Sequence, residues 1–300
     1  MKTLNELVSK IKEKNVDVEK RVILAGAEDL EALKALKHVY QSGICEFTAV
    51  GKKDIVEDNL RKLELSPEDF EIVDASDEID CAEKSVRLVN SSGANLLMKG
   101  LIKTSTLLKA VLNEEWGLRT GKLLSHIAVL DSPVIDRLIL LSDGGMIIKP
   151  TLEQKISIIE NAVQVAKKIG INEPKVACIA AVEVVNSSMP ETIDAAILSK
   201  MNQRGQIKGC IVEGPLGFDN AIDVNAAKIK KISGEVAGRA DILIVPDIHS
   251  GNFLGKSVVY MAGGNIAGIV FGAKVPIVIV SRADSFENKF YSIVLGLLAN

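Results

Sequence analysis

The chain has 300 residues, of which 47% are hydrophobic, 25% charged and 4% aromatic, and its formal net charge is -3. This length suits about two domains, and the composition is that of an ordinary soluble globular protein. A negative net charge gives no indication of the basic surface that binds duplex nucleic acid. No apolar run reaches the roughly 18 residues that a membrane-spanning helix needs. We therefore expect neither a nucleic-acid partner nor a membrane partner.

Two further features indicate the compartment. Residues 1–16 are amphipathic and lack the long apolar core of a signal peptide. The cysteines are widely separated and form no CxxC pair, which is typical of reduced thiols in a cytosolic protein; they are Cys45, Cys81, Cys178 and Cys210. We expect a cytoplasmic protein whose thiols are buried and structural.

The first part of the chain alternates short β-branched runs with helical stripes. The predicted strands are 21–25, 46–50, 71–73 and 95–98, and the helices between and after them are 28–40, 52–63, 78–90 and 104–113. This βαβα order predicts a parallel sheet with right-handed crossovers.

The pattern changes near the middle of the chain. Strands at 126–130 and 137–141 have only a short link, which predicts either a hairpin or a passage between domains. The cycle then resumes with helix 152–169, strand 176–180, helix 191–202, strand 209–212, helix 221–232, strand 241–245, helix 253–262, strand-like runs 268–271 and 277–280, and helix 286–298.

Ligands of open parallel sheets bind beyond the carboxyl ends of the strands, so polar residues that follow strands are candidate site residues. Lys99 and Gly100 follow the fourth strand, and Thr104 and Ser105 open the next helix. Glycine permits close backbone approach, and the free N–H groups of a helix start attract anions. The same residues would also suit a helix cap with solvated lysines.

A second candidate, Ser281-Arg282-Ala283-Asp284-Ser285, lies between the last strand and the last helix. The planar guanidinium group suits phosphate, and Asp284 would cap the helix with Glu287 as its capping-box partner. Capping plus a surface ion pair is the simpler interpretation.

A third segment, Gly255-Lys256-Ser257, resembles the end of a nucleotide P-loop. That motif needs a glycine five residues before Gly255, where this chain has Ser250. The GxGxxG pattern of dinucleotide sites is also absent. The three histidines are unpaired, which disfavours a metal site. His126 opens a strand and is either a structural residue or a donor to substrate.

Taken together, these segments resemble the phosphate acetyl/butyryltransferase family. The resemblance runs in order over nearly the whole chain. Its matching pieces are Met98-Lys99-Gly100, Leu124-Ser125-His126, Asp143-Gly144-Gly145, Pro150-Thr151, Glu213-Gly214-Pro215-Leu216, Asp219-Asn220-Ala221, residues 240–247, Gly251-Asn252, Lys256-Ser257 and Ser281-Arg282-Ala283-Asp284-Ser285.

The resemblance implies a two-domain α/β fold similar to the isocitrate and isopropylmalate dehydrogenase group, with parallel-rich sheets flanked by helices. We expect residues 1–131 and 281–300 to form the first domain and 132–280 the second, with the active site in the cleft between them. The implied reaction is reversible transfer of a butanoyl group between coenzyme A and inorganic phosphate. It would use no cofactor beyond coenzyme A as substrate and no metal, and we expect a homo-oligomer.

The resemblance also implies roles for individual residues. Ser281 and Arg282 would hold the phosphoryl group and Asp284 would act beside them. Further substrate contacts would be Ser125 and His126, coenzyme A contacts would be Asn252 and Lys256, and anion chemistry adds Lys99, Gly100, Thr104 and Ser105.

One position departs from the family. Asn288 stands where related phosphate acetyltransferases have an aspartate thought to accept the thiol proton. Asp284 or Glu287 could substitute for it. Three alternatives remain open: the same reaction on acetyl groups, a metal- and nicotinamide-dependent dehydrogenase of the same fold, and an inactive relative that only binds coenzyme A or phosphate.

Overall fold

The computed structural model describes residues 1–14, 20–281 and 284–300, in which short buried strands alternate with helices. The helices are α1 (Leu4–Lys14), α2 (Leu30–Gln41), α3 (Lys53–Lys62), α4 (Glu78–Ser92), α5 (Thr104–Val111), α6 (Leu152–Ile169), α7 (Pro190–Gln203), α8 (Phe218–Ile222), α9 (Val224–Ile229), α10 (Ile248–Tyr260) and α11 (Phe286–Ala299), with a 3-10 turn at Pro67–Asp69. The strands are β1 (Arg21–Ala25), β2 (Glu46–Gly51), β3 (Glu71–Asp74), β4 (Leu96–Lys99), β5 (Ser125–Asp131), β6 (Ile139–Ser142), β7 (Lys175–Ile179), β8 (Ile211–Leu216), β9 (Ile242–Ile244), β10 (Asn265–Phe271) and β11 (Ile277–Val278).

The chain divides into two compact units. We call residues 4–122 and 267–300 the terminal unit, and residues 1–3 and 123–266 the central unit. The chain therefore changes unit between residues 122 and 123 and between 266 and 267. The predicted domain boundaries at 131/132 and 280/281, and the predicted cleft between the domains, stay predictions.

In the terminal unit, five strands pair in parallel in the order β3-β2-β1-β4-β11. Val270 of β10 pairs with Ile277 of β11 in the antiparallel direction. Four of the five residues of β1 and all four of β4 are buried, as expected for apolar parallel strands covered on both faces. Helix α11 is almost wholly buried and packs against α1, α2 and the strands β4 and β11.

The central unit also has a mostly parallel sheet, in the order β6-β9-β7-β8. Strand β5 pairs with β6 in the antiparallel direction, with Ala128 opposite Leu141, so the hairpin is the correct interpretation of the short link. The core includes Leu130, Leu141 and Leu243. The predicted α/β class with parallel-rich sheets flanked by helices is confirmed; the more specific likeness to the isocitrate and isopropylmalate dehydrogenase group stays a prediction.

Most predicted helices agree with the structure to within two residues at each end. Two differ by more, and a side-chain cap accompanies each difference. Helix α10 begins at Ile248 rather than residue 253, because the Asp247 carboxylate accepts a hydrogen bond from the Ser250 N–H at 2.8 Å. The predicted helix 221–232 is replaced by the short α8 and α9, and Asp223 caps α9 by accepting from the Ala226 N–H.

No helix in the described part of the chain is long and apolar enough to cross a membrane.

An ion cluster ties the loop after β7 to α8 and to the end of α9. Lys230 Nζ lies 2.7 Å from Glu183 Oε1 and 2.9 Å from Asp219 Oδ2. Hydrogen bonding to Lys230 lowers the pKa of Glu183 and of Asp219, and these carboxylates raise the pKa of Lys230. A lowered carboxyl pKa stabilises the fold above the ordinary value of about 4, and this contribution is lost as the pH falls through the lowered value.

We therefore expect Lys230→Met to lower the melting temperature at pH 7. This deficit should shrink as the pH is lowered from 7 into the acid range and passes through the lowered pKa values of Glu183 and Asp219, because protonated carboxyls no longer attract the ammonium group. The measurement is thermal unfolding across this pH range. Lys228→Met is the matched control, because Lys228 is exposed and forms no ion pair with any residue that the structure describes. A deficit of Lys230→Met that persists unchanged in acid would show that the ion cluster is not its cause.

Candidate active site

Two of the predicted site loops leave the same edge of the terminal unit. Strand β11 runs beside β4, with Val278 paired to Met98 in the parallel direction. Lys99 is the last residue of β4, and Ser281 follows the last paired residue of β11 by three positions. Because parallel neighbours end at a common edge, the loops that begin at Lys99 and Ser281 emerge side by side.

Gly100 holds the first loop against the loop after β1. The Gly100 N–H donates to the Ala25 carbonyl at 2.8 Å, and the Leu101 N–H donates to the Gly26 carbonyl at 2.7 Å. A Cβ atom at residue 100 would overlap the Gly26 carbonyl oxygen. Only glycine fits this approach. The turn leaves Lys99 buried, with its Nζ 3.1 Å from the Gly100 carbonyl oxygen.

The start of helix α5 has a negative side chain beside it. Lys103, not a hydroxyl residue, is the N-cap, and its N–H donates to the Glu78 carboxylate. Thr106 Oγ1 also donates to Glu78, at 3.5 Å. Thr104 and Ser105 are exposed. The negative charge of Glu78 would repel a phosphate at this helix end. The anion-binding role of Thr104 and Ser105 stays a prediction.

The second loop folds into a turn closed by Asp284. The Ser281 N–H donates to Asp284 Oδ2 at 2.7 Å, and the Asp284 N–H donates to the Ser281 carbonyl at 3.1 Å. The expectation that Asp284 caps α11 is wrong: Ser285 is the N-cap and accepts from the Asn288 N–H. Arg282 lies outside the described residues.

The candidate proton acceptors differ in their surroundings. Asp284 is half-buried within its turn, whereas Glu287 is exposed on the first turn of α11. Asn288 is 3% exposed, and its carbonyl accepts from Ser292 Oγ at 2.7 Å. Asn288 is thus part of the packed helix. Of the two candidate carboxylates, Asp284 is nearer in sequence to the end of β11 than Glu287 is.

The remaining candidates belong to the central unit. Ser125 is fully buried, and its Oγ accepts from Asn161 Nδ2 at 2.9 Å, which is a structural partner that the sequence did not reveal. Its substrate contact stays a prediction. His126 is half-buried at the start of β5.

Asn252 and Lys256, the predicted coenzyme A contacts, both lie on α10. They are exposed and four residues apart, so they share one face of the helix. The segment that resembled a P-loop is therefore helical from Ile248, and Gly255 is buried within the helix rather than in a phosphate-binding loop.

Known proteins match this chain over its whole length. The model of the phosphate acetyl/butaryl transferase family matches residues 6–89 and 76–297. The chain belongs to this family. Phosphate butyryltransferase from Clostridium acetobutylicum is 45% identical over 298 residues, which cover 99% of this chain and 98% of that protein. Phosphate acetyltransferase from Thermotoga maritima is 45% identical over 277 residues, which cover 92% and 94%.

A solved structure of a related protein supports the same family. The crystal structure of a branched-chain phosphotransacylase from Enterococcus faecalis V583 superimposes with a TM-score of 0.83 at 34% identity, covering 93% of this chain and 98% of that one. This protein is accordingly a phosphate acyltransferase. Relatives of equal identity carry both the butyryl and the acetyl name, so the comparisons leave its acyl group open.

The cysteines of this phosphate acyltransferase are not suited to nucleophilic catalysis. Burial raises the pKa of Cys81 and Cys210 to about 11 and that of Cys45 and Cys178 to about 12. The thiolate is the nucleophilic form, so these side chains are neutral near pH 7. No disulfide joins them, as all four thiols are free.

A cavity of about 330 Å³ opens at the same edge of the terminal unit, and sequence reasoning missed it. Its lining includes Glu28, Asp77 and Glu78 but only one basic residue, Lys52. Glu28 Oε1 accepts from the Lys52 N–H at 3.0 Å. Three carboxylates disfavour a phosphate there, which leaves the Lys99 and Ser281 loops as the better anion candidates. In the sequence, Glu28 and Glu78 stand at the starts of predicted helices. The pattern therefore indicated helix residues there and gave no sign of a cavity.

Proposed function

We propose that this protein transfers a butanoyl group reversibly between coenzyme A and inorganic phosphate, as a phosphate butyryltransferase. The observation that carries the proposal is the 45% identity with the Clostridium acetobutylicum phosphate butyryltransferase over nearly the full length of both chains. The adjacent loops after β4 and β11 support it, because they supply a buried ammonium group and a turn of hydroxyl and backbone groups at one strand edge.

The proposed catalysis depends on position and charge. The phosphoryl group is held by Lys99, Ser281 and Arg282. Gly100 keeps the backbone of its loop close enough for Lys99 to reach the phosphoryl group. Thioester and acyl phosphate are both activated, so the enzyme mainly aligns the thiol with the acyl carbon and stabilises charge on the carbonyl and phosphate oxygens. Alignment of this kind contributes up to about 7–11 kcal/mol.

We assign the thiol proton to Asp284. In the direction that consumes acyl phosphate, the thiol of coenzyme A loses its proton as sulfur bonds to the acyl carbon, and phosphate leaves. Asp284 is the carboxylate hydrogen-bonded to the Ser281 N–H, whereas Asn288 is an amide and cannot accept a proton. Asn252 and Lys256 are proposed to contact coenzyme A from the exposed face of α10.

The acetyl group is the second candidate for the transferred acyl chain. Its support is the equal identity of the Thermotoga maritima phosphate acetyltransferase. One methylene in an apolar pocket changes selectivity by only about 1–3 kcal/mol, so the two acyl groups should differ in rate rather than in an all-or-none way. We further propose that the reaction needs no metal or additional cofactor, occurs in the cytoplasm and is carried out by a homo-oligomer.

The proposed reaction can be assayed directly. Purified protein with butanoyl-CoA should release free thiol only when inorganic phosphate is added, and EDTA should not change the rate. A thiol-reactive dye follows the release, and acetyl-CoA in a parallel assay tests the second candidate. Turnover that requires both a divalent metal and a nicotinamide cofactor would contradict the proposal in favour of a dehydrogenase. Binding of coenzyme A without turnover would indicate an inactive relative.

Substitution of Arg282 tests its proposed contact with the phosphoryl group. Arg282→Ala should lower phosphate-dependent turnover by about 10²-fold, the scale of losing one preorganised charge donor. The control is Arg119→Ala, in the same unit, where Arg119 is exposed and pairs with Glu114 at 2.7 Å. The measurement is the steady-state turnover rate of each variant at saturating phosphate, compared with that of the wild type. Equal rates for Arg282→Ala and the wild type would remove Arg282 from the site.

A further inference from the structure

The main chain of His126 is held by the side chains of Ser142, the last residue of β6, and of Asp143, which follows it. The antiparallel register that pairs Ala128 with Leu141 places His126 opposite Asp143, just beyond the end of β6. The His126 N–H donates to Asp143 Oδ2 at 2.9 Å, and its carbonyl accepts from Ser142 Oγ at 2.7 Å. Side chains therefore satisfy both backbone groups of His126 where the strand ladder ends.

Asp143 links this strand to the turn that follows it. Asp143 is 2% exposed, and the second oxygen of its carboxylate, Oδ1, accepts from the N–H groups of Gly145 and Met146 at 2.8 Å each. Three N–H donors thus compensate the desolvation of one buried charge. The turn cannot move relative to His126 without breaking one of these bonds.

Gly145 determines where the imidazole ring can lie. A Cβ atom at residue 145 would be 2.9 Å from His126 Cγ, closer than Cβ atoms approach other side chains, and 3.2 Å from its Nδ1, a tight contact. The ring therefore packs directly on the main chain of this glycine. On the other side of the turn, a Cβ at Gly144 would be 2.8 Å from the Gly251 carbonyl carbon in α10. The turn fits between the ring and the helix.

The other two histidines lack such a support. His38 is exposed on α2, where it packs edge-on against the rings of Phe286 and Phe290 at centroid distances of 5.5 and 4.9 Å. His249 is exposed on α10. Only His126 combines partial exposure, a position at the strand edge of the central unit and a backbone held from both sides.

We propose that Ser142, Asp143 and Gly145 are positioning residues that hold the His126 imidazole as a hydrogen-bond donor to an oxygen of the substrate. This inference rests on the proposed acyl transfer, in which carbonyl and phosphate oxygens carry the negative charge to be stabilised. A donor contributes to such a reaction only when its orientation is set beforehand. The two hydrogen bonds fix the main chain from which the ring projects, and the missing side chain at residue 145 lets the ring lie against the turn.

A double-mutant cycle between Gly145→Ala and His126→Ala tests the proposal. His126→Ala alone should lower kcat by about 10²-fold, as for one lost donor. Gly145→Ala displaces the ring and should lower kcat by about 10-fold to 10²-fold with little change in KM, because misplacement of a catalytic group affects the reacting geometry. In the His126→Ala background there is no ring to displace, so Gly145→Ala should leave kcat unchanged.

Asp143→Asn provides an independent route to the same result. The amide keeps one acceptor oxygen for Gly145 and Met146, but its nitrogen then faces the His126 N–H as a second donor. We expect a lower melting temperature in both backgrounds and a lower kcat only when His126 is present. Asp223→Ala, which removes the cap of α9, is the control for destabilisation without loss of kcat.

Two results would overturn the inference alone: normal kcat for His126→Ala, or an equal kcat loss from Gly145→Ala in both backgrounds. A wild-type protein without phosphate-dependent transfer would instead contradict the proposed function, and this inference with it.

Discussion

The parallel pairing of β11 with β4 is the constraint on which the terminal unit and its candidate site depend. The chain leaves this unit after residue 122 and returns at residue 267, so β11 is far from β4 in sequence. The Leu97 N–H donates to the Pro276 carbonyl at 3.2 Å, and Val278 pairs with Met98. This pairing places the loops beginning at Lys99 and Ser281 at one edge. Helix α11, which follows β11, covers β4 and packs against α1 and α2.

Carboxylates that accept backbone N–H groups build several of the turns at strand ends. Asp284 closes the turn after β11, Asp143 the turn after β6, and Asp247 the start of α10. Hydrogen bonding to the Ser250 N–H lowers the pKa of Asp247, so the charge is retained at neutral pH. Each of these aspartates fixes the shape of its turn through hydrogen bonds from backbone N–H groups.

The sequence predicted the regular elements well and their caps poorly. Strand Arg21–Ala25 and helix Leu152–Ile169 have the predicted bounds, because their apolar periodicity ends at clear polar boundaries. Helix α10 was predicted to begin at residue 253, because the Asp247 cap that starts it at Ile248 was not recognised. Asp284 and Ser285 are adjacent and both have side chains that can cap a helix. Which of them is the N-cap of α11 depends on the backbone geometry, which the residue types do not specify.

The support of His126 shows a second limit of sequence reasoning. Asp143-Gly144-Gly145 was identified as a motif, but its contact with His126 needs the antiparallel register of β5 and β6. In the same way, Glu78 reaches α5 and Asn161 reaches Ser125 only through tertiary packing. Residue types at strand ends therefore suggest which residues are site candidates, whereas the partners that orient them are visible only in the fold.

The most direct test is amide hydrogen exchange of the wild-type protein with and without inorganic phosphate. If the Lys99 and Ser281 loops bind one phosphoryl group, phosphate should slow exchange in residues 99–106 and in residues 281–288 together, with the same concentration dependence. Protection of only one segment, or of neither, would contradict the shared site.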